Sequence, residues 1–159
     1  MLLRALFAFL LLPGLAAFIL PPLLARLDPW SRGVFLPGSF VLCLGAVLLL
    51  WCVRDLYVSG KGTLAPWDPP RKLVVVGLYR YVRNPMYVGV LTVTAGWTVF
   101  LASPVLAGYT LVLALGFHLR VLKYEEPWLA GQFGHEWLTY RALVNRWRPR
   151  LRPWKGRPD

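Results

Sequence analysis

Three long stretches of the chain carry no charged side chain: residues 5–25, 33–53 and 84–119. A helix needs roughly 20 apolar residues to cross the hydrocarbon core of a bilayer. The first two stretches match one crossing each. The third is too long for one, and Ala102-Ser103-Pro104 interrupts it near its middle. It predicts two short crossings joined by a tight turn, their ends completed by Arg83, Arg120 and Lys123, whose stems run along apolar surface while the charge stays in water. The pattern predicts an all-α integral membrane protein with four transmembrane helices, at about 5–25, 34–57, 84–101 and 105–123. Met1-Leu2-Leu3-Arg4 gives the first span a weak basic start. That span is longer than the apolar part of a signal peptide and lacks a clean cleavage site, so it reads as a membrane helix.

Between spans two and three lies a connection, residues 59–83, broken by Gly60, Gly62, Pro66, Pro69, Pro70 and Gly77. Leu73-Val74-Val75-Val76 is its only strand-like run. A loop of this length without regular structure is usually functional. Asn84 and Pro85 read as the N-cap and first residue of the third span. Past span four, Pro127 interrupts, and a last helix follows at about 128–145. Phe133, Trp137, Tyr140, Val144 and Trp147 recur on it at spacings of four and three, flanked by Arg141, Asn145 and Arg148. That is the pattern of an amphipathic helix lying in the membrane interface. Residues 148–159 read as a mobile basic tail. The chain, 1–159, is one membrane domain without internal repeats.

Composition agrees with this reading. Of 159 residues, 57% are apolar, and the net charge is +11. Lys61, Arg71, Lys72, Arg80 and Arg83 lie before span three and a further basic cluster after span four, against only Arg26 and Arg32 between spans one and two. Basic loops stay in the cytoplasm, which puts both termini there. Anionic lipid headgroups explain the excess charge without nucleic acid. Cys43 and Cys52 lie inside span two and read as small buried apolar residues.

Because the turn at 102–104 is short, spans three and four are antiparallel neighbours whose far ends meet. One end is Arg83-Asn84-Pro85-Met86-Tyr87, the other Lys123-Tyr124-Glu125-Glu126, and the connection 59–83 enters from the same side. Glu125-Glu126 supplies two of only seven acidic residues. Adjacent carboxylates near lipid are costly unless they meet cations. They are either a salt-bridge cluster with Arg83, Arg120 and Lys123, or a site for a cationic ligand or general base. Tyr79, Tyr81 and Tyr87 are either an interfacial belt or a stacking surface. Convergence with the carboxylates favours a pocket. His135-Glu136-Trp137-Leu138-Thr139 lacks the second histidine of a zinc helix, and Gly60-Lys61-Gly62-Thr63 lacks the context of a phosphate loop, so no metal or P-loop chemistry is expected.

The ordered set Gly77-x-Tyr79-x-x-x-Arg83-Asn84-Pro85-Met86-Tyr87-x-Gly89, then Glu125-Glu126, then Phe133-Gly134-x-Glu136-x-x-x-Tyr140 and Arg146-Trp147-x-Pro149 resembles the isoprenylcysteine carboxyl methyltransferase and phospholipid methyltransferase family. The likeness runs from about Gly60 to Pro149. It implies an integral membrane enzyme, in a bacterial inner membrane, that uses S-adenosylmethionine at the cytoplasmic face on a hydrophobic or lipid-linked acceptor. Carried over by motif, Lys72, Leu73, Val74, Tyr79, Arg83, Asn84, Pro85, Met86, Tyr87, Glu125 and Glu126 would line the cofactor, and Glu125 and Arg120 would be catalytic. Asn84 stands where the isoprenylcysteine enzymes usually have histidine. Val121 stands where they place an arginine for the substrate carboxylate, which counts against a carboxylate acceptor. Two other readings are a sterol-type reductase, its NADPH phosphate held by Arg71, Lys72 and Arg80, and a non-enzymatic scaffold that binds lipid through its basic face.

Overall fold

The computed structural model describes residues 10–60 and 72–155. Among them the chain is helix, turn and extended connection, with no strand. A π-helical stretch, Leu10–Ile19, leads into α1, Leu20–Arg26; then follow α2, Pro37–Gly60, a 3₁₀ turn at Gly77–Arg80, α3, Pro85–Phe100, and α4, Pro104–Arg120. A π-turn, Val121–Glu125, joins α4 to α5, Glu126–Leu143. Two helices are long and apolar enough to cross a membrane: Pro37–Ser59 and the continuous run Pro104–Leu143. Pro13–Arg26 and Pro85–Phe100 are apolar but shorter.

The α2–α3 pair forms the centre. Small residues let the two backbones close up: a Cβ on Gly45 would lie 2.6 Å from Val93 N, and one on Gly96 would lie 2.6 Å from Leu42 N. Close approach through small residues is how apolar helices gain packing without a hydrophobic drive. The first helix is held on by its own irregularity. Pro21 and Pro22 have no N–H for the carbonyls one turn back, and those of Ala16 and Ala17 accept instead from the Tyr109 hydroxyl at 2.8 Å and the Trp97 indole at 3.0 Å. At the turn between α3 and α4, Ala102 takes a positive φ of 46°. Ser103 then caps α4, accepting from Leu106 N and donating to the buried Asp28.

Four sequence expectations change. Leu73–Val76 is extended but pairs with no strand. Pro127 does not break the chain away from α4; it follows the π-turn within one continuous helical run, and the bend comes at Gly134, with φ 48°. The stripe of α5 is covered by protein: Trp137, Tyr140 and Val144 are buried with Leu73, Val75, Leu129, Phe133 and Trp154. Helical periodicity says only that a face is apolar, and distant segments of this chain cover it. Cys43 is exposed on α2, while Cys52 is buried.

The tail also differs. Arg83 N donates to Asn145 O, Arg150 N to Tyr81 O and Trp154 N to Arg80 O, each at 2.9 Å. Residues 145–154 thus run as a strap along residues 80–83, and Trp154 packs on Tyr140 with ring centroids 5.6 Å apart. Backbone pairing of this kind leaves no mark in side-chain composition.

Candidate functional site

The π-turn sets the site. Widening one turn to i→i+5 bonding, seen in Glu126 N donating to Val121 O, brings side chains five apart over one another. Arg120 and Glu125 are such a pair, Nε to Oε1 at 2.8 Å. The Tyr87 hydroxyl, from the first turn of α3, donates to the same oxygen. Among the described residues Oε2 of Glu125 has no partner. Around this carboxylate stand three rings. Tyr87 stacks on Phe117 at 4.4 Å and 26° and tilts toward Trp147 at 6.4 Å, and Trp147 donates its indole N–H to His118 Nδ1 at 3.1 Å.

Glu126 faces the other way and is buried. Its Oε1 accepts from Arg83 Nη1 at 2.9 Å and Arg146 Nε at 2.6 Å, and its Oε2 from Arg146 Nη2 at 2.9 Å. Arg141 stands 4.0 Å from Oε2. Burial pushes this carboxyl up, but the Arg146 hydrogen bond and the charges of Arg83, Arg146 and Arg141 outweigh it, and the net shift is below the usual glutamate range. Arg83 is lowered from its ordinary value, first by burial and then by its arginine neighbours, against the pull of Glu126. Its guanidinium lies over the Trp137 ring at 5.4 Å. The two adjacent glutamates therefore divide the work: one is locked among arginines, the other is half-open.

The other expected residues fall nearby. Asn84 precedes α3, but its side chain makes no cap bond; Nδ2 donates to Arg146 O at 3.2 Å and so ties the strap to the helix start. Pro85 is the first residue of α3, as the sequence predicts. Val74, Tyr79 and Met86 cluster around the buried Cys52 on α2. Tyr140 donates its hydroxyl to Tyr79 O at 2.6 Å. The Tyr79 phenol is held well above its usual value, first by burial, then by its ionisable neighbours Cys52, Tyr140, Asp55 and Glu125. Lys72 and Leu73 lie instead on a cavity of about 300 Å³ that they share with Ser59, Gly77, Arg80 and Trp154. Glu125 and Tyr87 do not line it. Val121, in the place of the expected arginine, is buried.

Sequence reasoning gave no place in the site to Phe117, His118, Arg146 or Trp147, and it put Trp147 on the apolar stripe of the last helix. The closing Arg146-Trp147 pair was visible as a motif, but its target, the Glu126 cluster, lies far away in sequence.

Residues 34–136 match the family model described as phospholipid methyltransferase. Over 73 residues the chain is 35% identical to protein-S-isoprenylcysteine O-methyltransferase B of Arabidopsis thaliana, covering 46% of this chain and 37% of that protein. To form A of the same plant it is 38% identical over 72 residues, 45% of this chain and 36% of that protein. To a probable protein-S-isoprenylcysteine O-methyltransferase of Oryza sativa subsp. indica it is 36% identical over 80 residues, 50% of this chain and 41% of that protein. The matched region thus spans well under half of each relative's length. No solved structure matches.

Proposed function

The chain belongs to the phospholipid methyltransferase family, and on that premise we propose that it is an S-adenosylmethionine-dependent methyltransferase. It acts at the cytoplasmic membrane face on a hydrophobic or lipid-linked acceptor. The observation that carries this reading is Glu125: Oε1 is fixed by Arg120 and the Tyr87 hydroxyl, Oε2 has no partner among the described residues, and Tyr87 itself stacks on Phe117 and tilts toward Trp147.

The residues present suit a cationic cofactor. Among the described residues Glu125 keeps one oxygen unpaired, and the Tyr87 ring beside it stacks on Phe117. Val74, Tyr79, Asn84, Pro85, Met86 and Tyr87 with Glu125 would hold it, Lys72 and Leu73 would reach it from the neighbouring cavity, and Arg83 and Glu126 would brace it from behind. When bound, S-adenosylmethionine supplies a methyl group on a sulfonium whose charge is lost on transfer. Glu125 takes the acceptor's proton on Oε2 as the nucleophile attacks, and Arg120 and Tyr87 hold the carboxylate in one orientation for that step. The three rings keep water out. Val121 offers no cation to a carboxylate acceptor, so the acceptor is a neutral or proton-bearing nucleophile carried on an apolar body.

Four crossings serve this arrangement. Exposed Phe40, Val47 and Leu50 on α2, and Leu111, Val112 and Leu115 on α4, form apolar faces too extensive for water. Helix α3 is short but lies inside the bundle, with Val90, Val93 and Thr94 buried. Helix α5 rests in the interface, its exposed Trp128, Leu138 and Leu143 turned to the headgroups. Both termini lie on the cytoplasmic side.

The test is direct. Purified protein in lipid nanodiscs, given a labelled methyl donor and total lipid extract, should add about 14 mass units, one CH₂, to an apolar acceptor. A wild-type protein that binds neither S-adenosylmethionine nor S-adenosylhomocysteine by calorimetry sinks the reading.

A further inference from the structure

Of the chain's two histidines, His118 is the one on α4, and the mechanism above gives it no step. Leu111 and Leu115, two turns and one turn back on the same face of the helix, are exposed apolar side chains. An imidazole at the edge of a lipid-facing row is costly unless its nitrogens find partners.

Its partner comes from the far end of the chain. The Trp147 indole N–H donates to His118 Nδ1 at 3.1 Å, with the ring centroids 6.1 Å apart. An indole nitrogen can only donate. Nδ1 therefore presents a lone pair, and the proton of the neutral ring sits on Nε2. The strap's other side-chain hydrogen bonds among the described residues go to Arg80, Asn84 and Glu126, so this one bond is its side-chain tie to α4.

On its other side Trp147 meets the site. Its ring centroid lies 6.4 Å from that of Tyr87, whose hydroxyl is on Glu125. The indole thus bridges the lipid-facing row of α4 and the carboxylate. Tyr87 does not depend on it, being stacked on Phe117 at 4.4 Å and bonded to Glu125.

Resting on the methyltransferase reading, we infer that Trp147 contacts the apolar body of the acceptor and that His118 is the positioning residue that holds the indole there. An indole anchored at its one polar atom presents a large, rigid apolar face. Deprived of an acceptor for its N–H, the ring turns to find another and takes that face with it. The loss falls on acceptor binding and not on the chemical step, because the groups that orient Glu125 stay in place.

The experiment has two arms, both on the full chain in nanodiscs. In the first, nitrogen NMR of ring-labelled histidine at about pH 8.5, where an ordinary imidazole is neutral, reads the tautomer. Only His118 and His135 contribute, and His135→Gln assigns the signals. His118 should hold a single tautomer with a bare Nδ1. Trp147→Phe, which keeps a ring but removes the N–H, should return it to the mixture of a free imidazole. A wild-type His118 already in that mixture overturns the inference.

The second arm is acceptor kinetics. His118→Leu and Trp147→Phe should each raise KM for the acceptor roughly three- to tenfold, the scale of one neutral hydrogen bond, and leave kcat within about twofold. His118→Asn, whose amide oxygen accepts in place of Nδ1, should bring KM back close to wild type. An Asn variant as impaired as the Leu variant overturns the inference, and so does an effect carried by kcat with KM unchanged. Where His118→Leu does not fold, Trp147→Phe decides by the same KM criterion. A wild type that methylates while His118 samples both tautomers fails this inference alone. A wild type that methylates no acceptor fails the methyltransferase reading, and this inference with it.

Discussion

Arg146 grips Glu126 with both arms of its guanidinium, Nε on Oε1 at 2.6 Å and Nη2 on Oε2 at 2.9 Å. The pair links the strap after α5 to the start of α5, and through Arg83 to the start of α3. One buried carboxylate thereby fixes three sequence-distant segments around the site.

Breaking that link should cost far more than a surface ion pair. Removing one partner of a buried, hydrogen-bonded charge leaves the others uncompensated, at about 3–5 kcal/mol. Glu126→Gln strands Arg83 and Arg146 together. Its unfolding midpoint in a detergent or nanodisc melt should fall well below that of Lys123→Gln, a charge change without an ion-pair partner among the described residues. Equal midpoints would mean the arginines are satisfied by water.

The same carboxylate sets a pH dependence. Its folded pKa is depressed below the ordinary value of 4.5, so its contribution is fully present above that value. It is lost as pH falls through the depressed one. Melts from pH 7 down to pH 3 should show an acid-side loss of stability in the wild type. In Glu126→Gln that component should be missing.

Glu125 should behave in the opposite way. It is half-open and bonded only through Oε1, so Glu125→Gln should leave the melting temperature nearly unchanged. Turnover should fall by roughly 10²–10⁴, the usual contribution of a positioned general base. Tyr87→Phe, which removes one of the two groups orienting that carboxylate, should lower turnover less and keep cofactor affinity. Steady-state kinetics with the acceptor found by mass spectrometry would separate the two.

The helices were legible because charges cannot easily enter an apolar run; Pro85 marks the start of α3 as the sequence predicts, and the break at Ala102-Ser103-Pro104 falls where α3 gives way to α4. The meeting of Arg83 and Tyr87 with Glu125 and Glu126 was legible for a related reason: a tight turn at Ser103 forces antiparallel neighbours. The cover on the α5 stripe was not, since Trp137 looks the same to lipid as to Leu73 and Trp154. Nor was Asp55. At the end of a span, beside Arg54, it reads as an ordinary surface pair, and only its burial and the bare oxygen beneath Gly77 distinguish it.

The strap makes a prediction that needs no substrate. A basic tail that hung free would be cut by trypsin at each Lys or Arg not followed by proline, here Arg146, Arg150 and Lys155. Here Arg150 N and Trp154 N are bonded to Tyr81 O and Arg80 O, and backbone held in that way does not fit a protease cleft. Limited digestion should cut readily at Lys155 and spare Arg146 and Arg150. Trp154→Ala, which removes the contact with Tyr140, should open those sites. Cleavage at Arg150 in the wild type as fast as at Lys155 would show that the strap is not held.

Gly77 offers the sharpest stability test of the Asp55 corner. Two costs oppose Gly77→Ala: a left-handed φ of +52°, and a Cβ placed 1.9 Å from Asp55 Oδ2. The first amounts to about 1–2 kcal/mol for an L-residue, and the second adds a clash that only movement of α2 or of the 3₁₀ turn can relieve. The two costs separate in a double-mutant cycle. Asp55→Ala removes the clashing oxygen but not the backbone strain, so Gly77→Ala should cost less in the Asp55→Ala background than in the wild type. Strict additivity in unfolding free energy would mean that glycine and carboxylate do not touch, and that the oxygen is covered by something other than the 3₁₀ turn.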